Sequence, residues 1–196
     1  MVMLICLHGS SGRPADWGSF PEEVAPTIRS HRLQGGIPSN DGHTFFTKLP
    51  DGTIDPAEIA TRADALAAHI ATFEPGAAPL LMGYSSGATI AAAILLRHPS
   101  ASAGAVLLRP QPPFPDASFP PLGCPPALIL AGRHDARRVP GAAETLARQL
   151  RSAGSDVEMH MLDTGHGLDP AGQDRQLAKA WLARFAAPAK DGNSQA

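Results

Sequence analysis

The sequence predicts an α/β fold, a minimal six-stranded, mainly parallel sheet with helices on both faces. Short apolar runs alternate with helical patterns along the chain, which is typical of a parallel sheet covered on both sides. One apolar run leads into Gly83-Tyr84-Ser85-Ser86-Gly87, and an apolar helix pattern follows directly. Because ligands of such sheets gather at the carboxyl ends of the strands, we expect the functional residues there.

The first part of the chain contains two predicted strands with a helix between them. The apolar run at 2–7 predicts the first strand, and a weaker run at 28–34 predicts the second. Helical spacing around 16–24 predicts a helix that ends near Pro26. Residues 35–53 contain Gly, Pro, Asn and Asp throughout, so we expect an irregular connection there.

The segment 55–73 carries the clearest helix signals. Asp55 can cap the helix, Pro56 suits its first position, and Glu58 stands where a capping box has its acid. Apolar side chains then recur at helical spacing until Pro75-Gly76 ends the pattern. The recurring residues are Ile59, Ala63, Leu66, Ile70 and Phe73.

The second part of the chain continues the alternation of strand and helix. Short apolar runs predict strands, whereas segments with one apolar face, such as that of Leu177, Trp181 and Phe185, predict helices. The proline-crowded segment 110–126 is expected to be an ordered loop, because proline lacks a backbone donor and fixes φ. Strands are predicted at 79–82, 104–109, 127–131 and 157–162, and helices at 88–96, 141–153 and 173–185.

Length and charge limit the classes of protein to which this chain can belong. The chain has 196 residues, and we expect one domain at 1–187 followed by a disordered tail at 188–196. Its net charge is −2 without any basic block, so nucleic acid is not an expected partner. No apolar stretch has the length of a membrane span, and the apolar start lacks the basic region of a signal peptide.

Cysteine and histidine show no metal-ligand spacing. Cys6 and Cys124 stand far apart, and no His-Glu-x-x-His pattern occurs. We therefore expect two free thiols in a cytoplasmic protein that uses no metal and no cofactor.

Ser85 is the candidate nucleophile. It stands in a Gly-x-Ser-x-Gly segment between a predicted strand and a predicted helix, the setting that confirms this motif. A serine on such a tight turn has its hydroxyl exposed, and Gly83 and Gly87 leave room where a Cβ would collide with backbone. The motif alone is common, so its partners must support it.

The partners expected of a serine nucleophile follow in the order Ser, Asp, His. A serine hydroxyl needs a base to take its proton, and the base needs an orienting acid. Asp135 follows the predicted strand at 127–131, and His166 follows the last one between two glycines. Both should open onto the edge of the sheet where Ser85 lies.

Other residues of the same types have simpler interpretations. Asp163 and Asp169 are rivals for the acid, but an acid that steadies the imidazole should approach from a separate loop, so they are expected to be turn residues. His134 could orient the loop of its neighbour, Asp135. The remaining alternatives, expected at surface or packed positions, are His31, His43, His69, His98 and His160.

Two backbone N–H groups are candidate donors to the oxyanion of a tetrahedral intermediate. The Ser86 N–H follows the nucleophile at a helix N-terminus, where anions are favoured. The second donor should come from the loop after the first strand, at Ser10 or alternatively at Ser11. The simpler interpretation of that loop is a flexible Gly/Ser turn.

The assembled motifs resemble the carboxylesterase/phospholipase branch of the α/β-hydrolases, which includes acyl-protein thioesterase-like enzymes. The similarity extends from Leu4 to Phe185. Two pieces resemble small bacterial esterases of that branch that are linked to aromatic catabolism, namely Leu108-Arg109-Pro110 and the Phe-Phe-x5-Gly-x-x-Asp segment from Phe45 to Asp55. The other matching pieces are Leu7-His8-Gly9-Ser10, Gly83–Ala88, Ala131–Asp135 and Gly165-His166-Gly167-Leu168.

The resemblance implies an α/β-hydrolase fold without a cap domain, and a serine carboxylesterase that acts on small esters. It also implies Ser85, Asp135 and His166 as the catalytic triad, with Ser10 and Ser86 as oxyanion donors. Ser86 stands where thioesterase members often have glutamine, which argues against long-chain acyl-protein substrates. The alternatives are an acyl thioesterase or lysophospholipase and, in another class, a silent binding module; a homodimer is also compatible.

Aromatic residues on the two long irregular segments suggest a small apolar substrate pocket. Phe45 and Phe46 lie on one segment, and Phe114 and Phe119 lie on the other. With Leu168 beside the candidate base, they are predicted to line a site for a short acyl chain or an aromatic leaving group. The alternative is that the phenylalanines only fill the core beneath the loops.

Overall fold

The computed structural model describes residues 2–73 and 76–186. Six strands form one sheet and two form a hairpin. There are also five α-helices and three short 3₁₀ turns, at Pro14–Trp17, Pro99–Ala101 and Ala183–Phe185. The strands are β1 Met3–Leu7, β2 Arg29–Leu33, β3 Ile37–Ser39, β4 Gly42–Thr44, β5 Leu80–Tyr84, β6 Gly104–Leu108, β7 Ala127–Gly132 and β8 Val157–Leu162. The helices are α1 Phe20–Val24, α2 Pro56–Ile70, α3 Ser86–Arg97, α4 Ala142–Ser152 and α5 Gln173–Leu182.

The main sheet has the strand order β2-β1-β5-β6-β7-β8, and every neighbouring pair is parallel. The chain runs outward from β1 to β2 and then returns to place β5 on the other side of β1. The strand order therefore reverses at β1 and β5, where open α/β sheets form a crevice at the carboxyl ends. Leu7 pairs with Gly83 there, so the segments after these two strands are neighbours.

Alternating side chains of the sheet fill two separate cores. Ile5 and Leu81 face a core that contains buried residues of α2, α3 and α4. Leu4 and Met82 face the opposite core, which contains buried residues of α1 and α5. Helices thus cover both faces, and α3 is buried along its length from Ser86 to Leu96, as its nearly continuous apolar sequence predicts.

The predicted fold class is confirmed. Each of the six predicted strands overlaps one strand of the main sheet, and 110–126 is a loop without helix or strand. No cap domain covers the carboxyl edge within the described ranges 2–73 and 76–186. None of the described helices is long and apolar enough to cross a bilayer. The predicted tail, 188–196, lies outside the described residues.

Three local predictions require correction. The helix predicted around 16–24 is divided, because Gly18 adopts φ +49° between a 3₁₀ turn and α1. The segment 35–53 is not wholly irregular, since Asn40 at φ +49° turns β3 into β4. Glu58 forms no capping box: its carboxylate accepts hydrogen bonds from Thr47 N (3.1 Å) and Oγ1 (2.7 Å).

The predicted cap of α2 is confirmed, because the Asp55 side chain accepts a hydrogen bond from Ala57 N at 2.8 Å.

Candidate active site

Ser85 lies at the tip of a sharp turn between β5 and α3. Its φ of 54° and ψ of −111° are strained for a residue with a side chain, as expected of a serine held out at a strand-to-helix elbow. The backbone around it is fixed, since Ser85 N donates to Leu108 O and Thr89 N donates to Ser85 O. The strained conformation is therefore secured on both sides of the residue.

The two glycines of the motif allow the close approach that this elbow needs. A Cβ on Gly83 would lie 2.3 Å from Gly87 O, and a Cβ on Gly87 would lie 2.0 Å from Leu7 O. Both distances are far below van der Waals contact with backbone that cannot move aside. The expected collision at both positions is confirmed. Because glycine has no Cβ, the turn can pack directly on β1.

The structure brings Ser85, His166 and Asp135 into one chain of hydrogen bonds. His166 Nε2 lies 2.8 Å from Ser85 Oγ. On the other side of the ring, His166 Nδ1 lies 2.8 and 2.9 Å from the two carboxylate oxygens of Asp135. With Nδ1 protonated and donating to the carboxylate, Nε2 is free to accept the proton of the hydroxyl. This arrangement can move a proton off Ser85 Oγ.

The surroundings of His166 favour a neutral imidazole. Burial lowers the pKa of His166, and the nearby guanidinium groups of Arg138 and Arg137 lower it further, while the hydrogen bond and charge of Asp135 raise it. The net shift of this pKa is downward. The ring is therefore a free base over a wider pH range than an exposed histidine.

The rival acids are occupied elsewhere. Asp163 pairs with His134 at 2.7 Å, and both side chains are largely exposed. Asp169 accepts hydrogen bonds from Ala171 N and Gln173 N just before α5. Neither carboxylate contacts the ring of His166, so the structure brings only Asp135 of the three to it.

The loop that carries His166 is anchored by Arg109. This guanidinium donates to the carbonyl oxygens of Gly165 (3.2 Å) and Gly167 (2.8 Å), on either side of the histidine. It also donates to both carboxylate oxygens of Asp174 at 2.8 Å. The sequence marked Arg109 only as part of a matching motif, although an arginine at the end of an apolar strand is itself a signal of a buried ionic contact.

Tyr84 forms a second support for the His166 loop. Its hydroxyl donates to His166 O at 3.0 Å, and its ring lies 5.5 Å from the imidazole between ring centroids. Sequence reasoning did not assign a role to this residue, because the position before the nucleophile tolerates many side chains in a Gly-x-Ser-x-Gly pattern. Its partner becomes visible only when β5 and the His166 loop meet.

The two candidate oxyanion donors have free N–H groups. Among the described residues, neither Ser10 N nor Ser86 N donates a hydrogen bond. The loop of Ser10 is shaped by His8, whose Nε2 accepts from Gly35 N at 2.9 Å and whose Nδ1 therefore donates to Gly9 O at 2.7 Å. Ser11 has a positive φ of 56° and pairs through its hydroxyl with Ser39.

The cleft at Ser85 is basic, which differs from the apolar pocket that we expected. It has a volume of about 340 Å³ and is lined by Ser10, Lys48, Tyr84, Arg137, Arg138 and His166, together with Gly9 and Ser85. Arg138 Nη2 donates to Ser85 Oγ at 3.0 Å. The cations come from the loops after β4 and β7, whereas the apolar lining was predicted from the phenylalanines of segments 35–53 and 110–126.

The predicted pocket residues are divided between the core and a neighbouring cavity. Phe45 and Phe46 are buried in the core, and Phe114 and Phe119 pack against the same core; none of the four lines the Ser85 cleft. Their aromatic area is best removed from water under the loops, which is the alternative that the sequence left open. Leu168 instead lines an adjoining cavity of about 240 Å³ with Trp17, Phe20 and Tyr84.

Comparisons with known proteins agree with the predicted fold. No protein-family model matches the chain. The chain is 29% identical over 185 residues to the "Putative hydrolase MhqD" of Bacillus subtilis (strain 168), covering 91% of both proteins. A Bacillus cereus carboxylesterase structure has 28% identity and a TM-score of 0.84 over 93% of this chain and 88% of that one. A Mesorhizobium loti carboxylesterase has 27% identity and a TM-score of 0.83 over the same shares.

These similarities reach beyond the fold, because both carboxylesterases share more than a quarter of their aligned residues with this chain over nearly its whole length. They support a hydrolase of the esterase kind. Together with the parallel sheet and the strand-to-helix elbow, they confirm that the chain has the α/β-hydrolase fold and is similar to the carboxylesterase/phospholipase branch.

Proposed function

We propose that the chain is a serine carboxylesterase that cleaves small carboxylic esters through an acyl-enzyme. The observation that carries the proposal is the continuous hydrogen-bond chain from Ser85 Oγ through the His166 ring to Asp135, with both links at 2.8 Å. Such a chain provides the nucleophile, the base and the orienting acid that acyl transfer needs. The two free, buried thiols fit a reducing compartment, so we propose that the enzyme works in the cytoplasm.

In the first half of the proposed reaction, Ser85 Oγ attacks the ester carbonyl carbon and His166 Nε2 takes the hydroxyl proton. The tetrahedral intermediate then collapses, the carbon–oxygen bond of the leaving group breaks, and His166 returns the proton to the departing alkoxide. In the second half, water attacks the acyl-enzyme with its proton passing to His166. Ser85 regains a proton as the carboxylic acid leaves.

The oxyanion of both tetrahedral intermediates is proposed to bind Ser10 N–H and Ser86 N–H. Both donors are free of intramolecular acceptors within the described residues, so they are available to substrate. Ser86 is also the first residue of α3, where the helix dipole favours negative charge. One such donor contributes about 3–4 kcal/mol to the transition state in comparable enzymes.

A fluorophosphonate probe tests the proposal directly, since it reacts covalently with activated serines. Folded wild-type protein should be labelled, and Ser85→Ala should not be. Asp135→Asn should keep the fold and lower kcat for p-nitrophenyl acetate by about 10⁴-fold, because the ring then loses its correct tautomer. Ser152→Ala, at an exposed serine of α4, is the matched control and should behave as wild type. Labelling that survives Ser85→Ala, or a folded wild type that does not react, would overturn the proposal.

A further inference from the structure

One wall of the Ser85 cleft is formed by three cationic side chains. Lys48 comes from the loop after β4, whereas Arg137 and Arg138 follow Asp135 in the loop after β7. They share the cleft with the candidate nucleophile, the candidate base and the free Ser10 N–H. Any group bound beside the reacting carbonyl in this cleft therefore lies within reach of positive charge.

These cations have no carboxylate partner within 2–73 and 76–186. The Arg138 guanidinium donates only to neutral oxygens, namely Arg109 O, Gln111 Oε1, Arg137 O and Ser85 Oγ. No ion pair of the described residues includes the side chains of Lys48 or Arg137. The carboxylate of Asp135 attracts Arg138 electrostatically, but its hydrogen bonds go to the ring of His166 and to Arg137 N.

Unpaired like charges that meet in a cleft repel one another. When they surround a reactive group, their shared field attracts a ligand of opposite charge. Burial and the charges of Arg138 and Arg137 lower the pKa of Lys48. Arg138 has a structural use as well, because it ties its loop to Arg109 O. Lys48 and Arg137 are exposed and form no side-chain ion pair among the described residues, so both remain available to a bound anion.

We propose, on the basis of the proposed esterase function, that the natural ester carries an anionic group, a carboxylate or a phosphate, which binds Lys48 and Arg137 beside the reacting carbonyl. Arg138 adds positive charge at the nucleophile itself, through its 3.0 Å hydrogen bond to Ser85 Oγ. The same charge stabilises the negative charge that develops next to Ser85 Oγ in the transition state.

The cavity that adjoins the Ser85 cleft indicates what the other end of this substrate is like. It shares Gly9, Ser10 and Tyr84 with the Ser85 cleft, and its walls include Trp17 and Leu168. The site is therefore basic on one side and aromatic on the other. A matching ester has its charge at one end and an apolar or aromatic group at the other, with the scissile bond between them.

Charged and neutral twins of the same ester test this inference. On the acyl side, mono-p-nitrophenyl succinate is compared with its neutral methyl ester. On the leaving-group side, 3-carboxyphenyl butyrate is compared with its methyl ester, and 3-butyryloxyphenyl phosphate provides the phosphate arm. At least one anionic substrate should have a kcat/KM about tenfold or more above that of its neutral twin, because charge-assisted hydrogen bonds are the strong ones. Which arm responds identifies both the end and the kind of anion.

Lys48→Gln and Arg137→Gln should each reduce the ratio of kcat/KM for the anionic substrate to that for its neutral twin several-fold, measured on the alkaline plateau of the pH profile, where His166 is neutral in every variant. Arg148→Gln removes an exposed charge on α4 and should leave the preference unchanged. Added salt should also weaken the preference, since the ion pairs are partly exposed. If no anionic substrate exceeds its twin, or if the preference survives both variants, the inference fails. Hydrolysis of the neutral twins that requires Ser85 keeps the proposed function intact in that case.

Discussion

Arg109 and Asp174 form a two-pronged ion pair, with both N–O distances at 2.8 Å and both side chains fully excluded from solvent. Arg109 lies just after β6, and Asp174 lies in the first turn of α5. The pair therefore joins the sheet to the helix that follows the His166 loop. The same guanidinium holds the carbonyl oxygens of Gly165 and Gly167, so the position of the imidazole depends on a buried charge.

Arg109→Met should therefore destabilise the protein strongly. It leaves the Asp174 carboxylate buried without its cation, and breaking such a pair from one side costs about 3–5 kcal/mol. Urea denaturation of the folded variant measures this loss. The activity towards p-nitrophenyl acetate should fall as well, because the His166 loop loses two hydrogen bonds.

The partly exposed pair of Arg62 and Glu58 provides the control for that experiment. Arg62→Met should change the free energy of unfolding by less than about 1 kcal/mol, because Arg62 is exposed to water and Glu58 keeps its hydrogen bonds from Thr47. Equal effects of the two arginine substitutions would contradict the importance of the buried pair.

Gly87→Ala should disrupt the elbow. The added methyl would lie 2.0 Å from Leu7 O and 2.6 Å from His8 O, which are backbone atoms of β1 and of the loop that follows it. We expect a loss of about 3 kcal/mol or more in the free energy of unfolding, measured by thermal or urea denaturation. Gly36→Ala is the control, because no atom lies within 4 Å of its Cβ position. A Gly87→Ala protein with wild-type stability would show that the elbow does not pack on β1 in this way.

Patterns local in sequence were sufficient to predict the strands of the sheet and the three residues that meet at its edge. Apolar runs identified the six strands, and the place of Ser85, Asp135 and His166 just after three of them brought these residues to one edge. This worked because the carboxyl ends of parallel strands share an edge irrespective of strand order. The cap at Asp55 was also predictable, since its acceptor and donor are two residues apart.

Contacts between distant segments could not be predicted in this way. Glu58 accepts hydrogen bonds from Thr47, on the preceding loop, and no helix-start rule includes this contact. The basic wall of the cleft combines Lys48 with Arg137 and Arg138, about ninety positions later in the chain. The phenylalanines on the long loops turned inward because burial of aromatic area outweighs any preference for lining an open cleft.

Tyr84→Phe should lower kcat without unfolding the protein. The variant loses the 3.0 Å hydrogen bond to His166 O but retains the ring that lies against the imidazole. A neutral hydrogen bond contributes about 0.5–1.5 kcal/mol, so we expect kcat for p-nitrophenyl acetate to fall about three- to tenfold with little change in KM. Tyr84→Leu removes the ring contact too and should lower kcat further. A Tyr84→Phe enzyme with unchanged kcat would rule out positioning of His166 by the hydroxyl.

The pH profile should report the lowered pKa of His166. The base must be neutral to accept the Ser85 proton, so kcat/KM for a neutral ester rises with pH through this pKa. Since burial and the charges of Arg138 and Arg137 lower the pKa, the midpoint of the acidic limb should lie below 6.5, the ordinary value for histidine. Arg137→Gln removes one cation that disfavours the imidazolium, and the midpoint should therefore move to higher pH. Arg148→Gln on α4 should leave the midpoint in place, and a downward shift in Arg137→Gln would contradict the electrostatic coupling between the basic wall and the base.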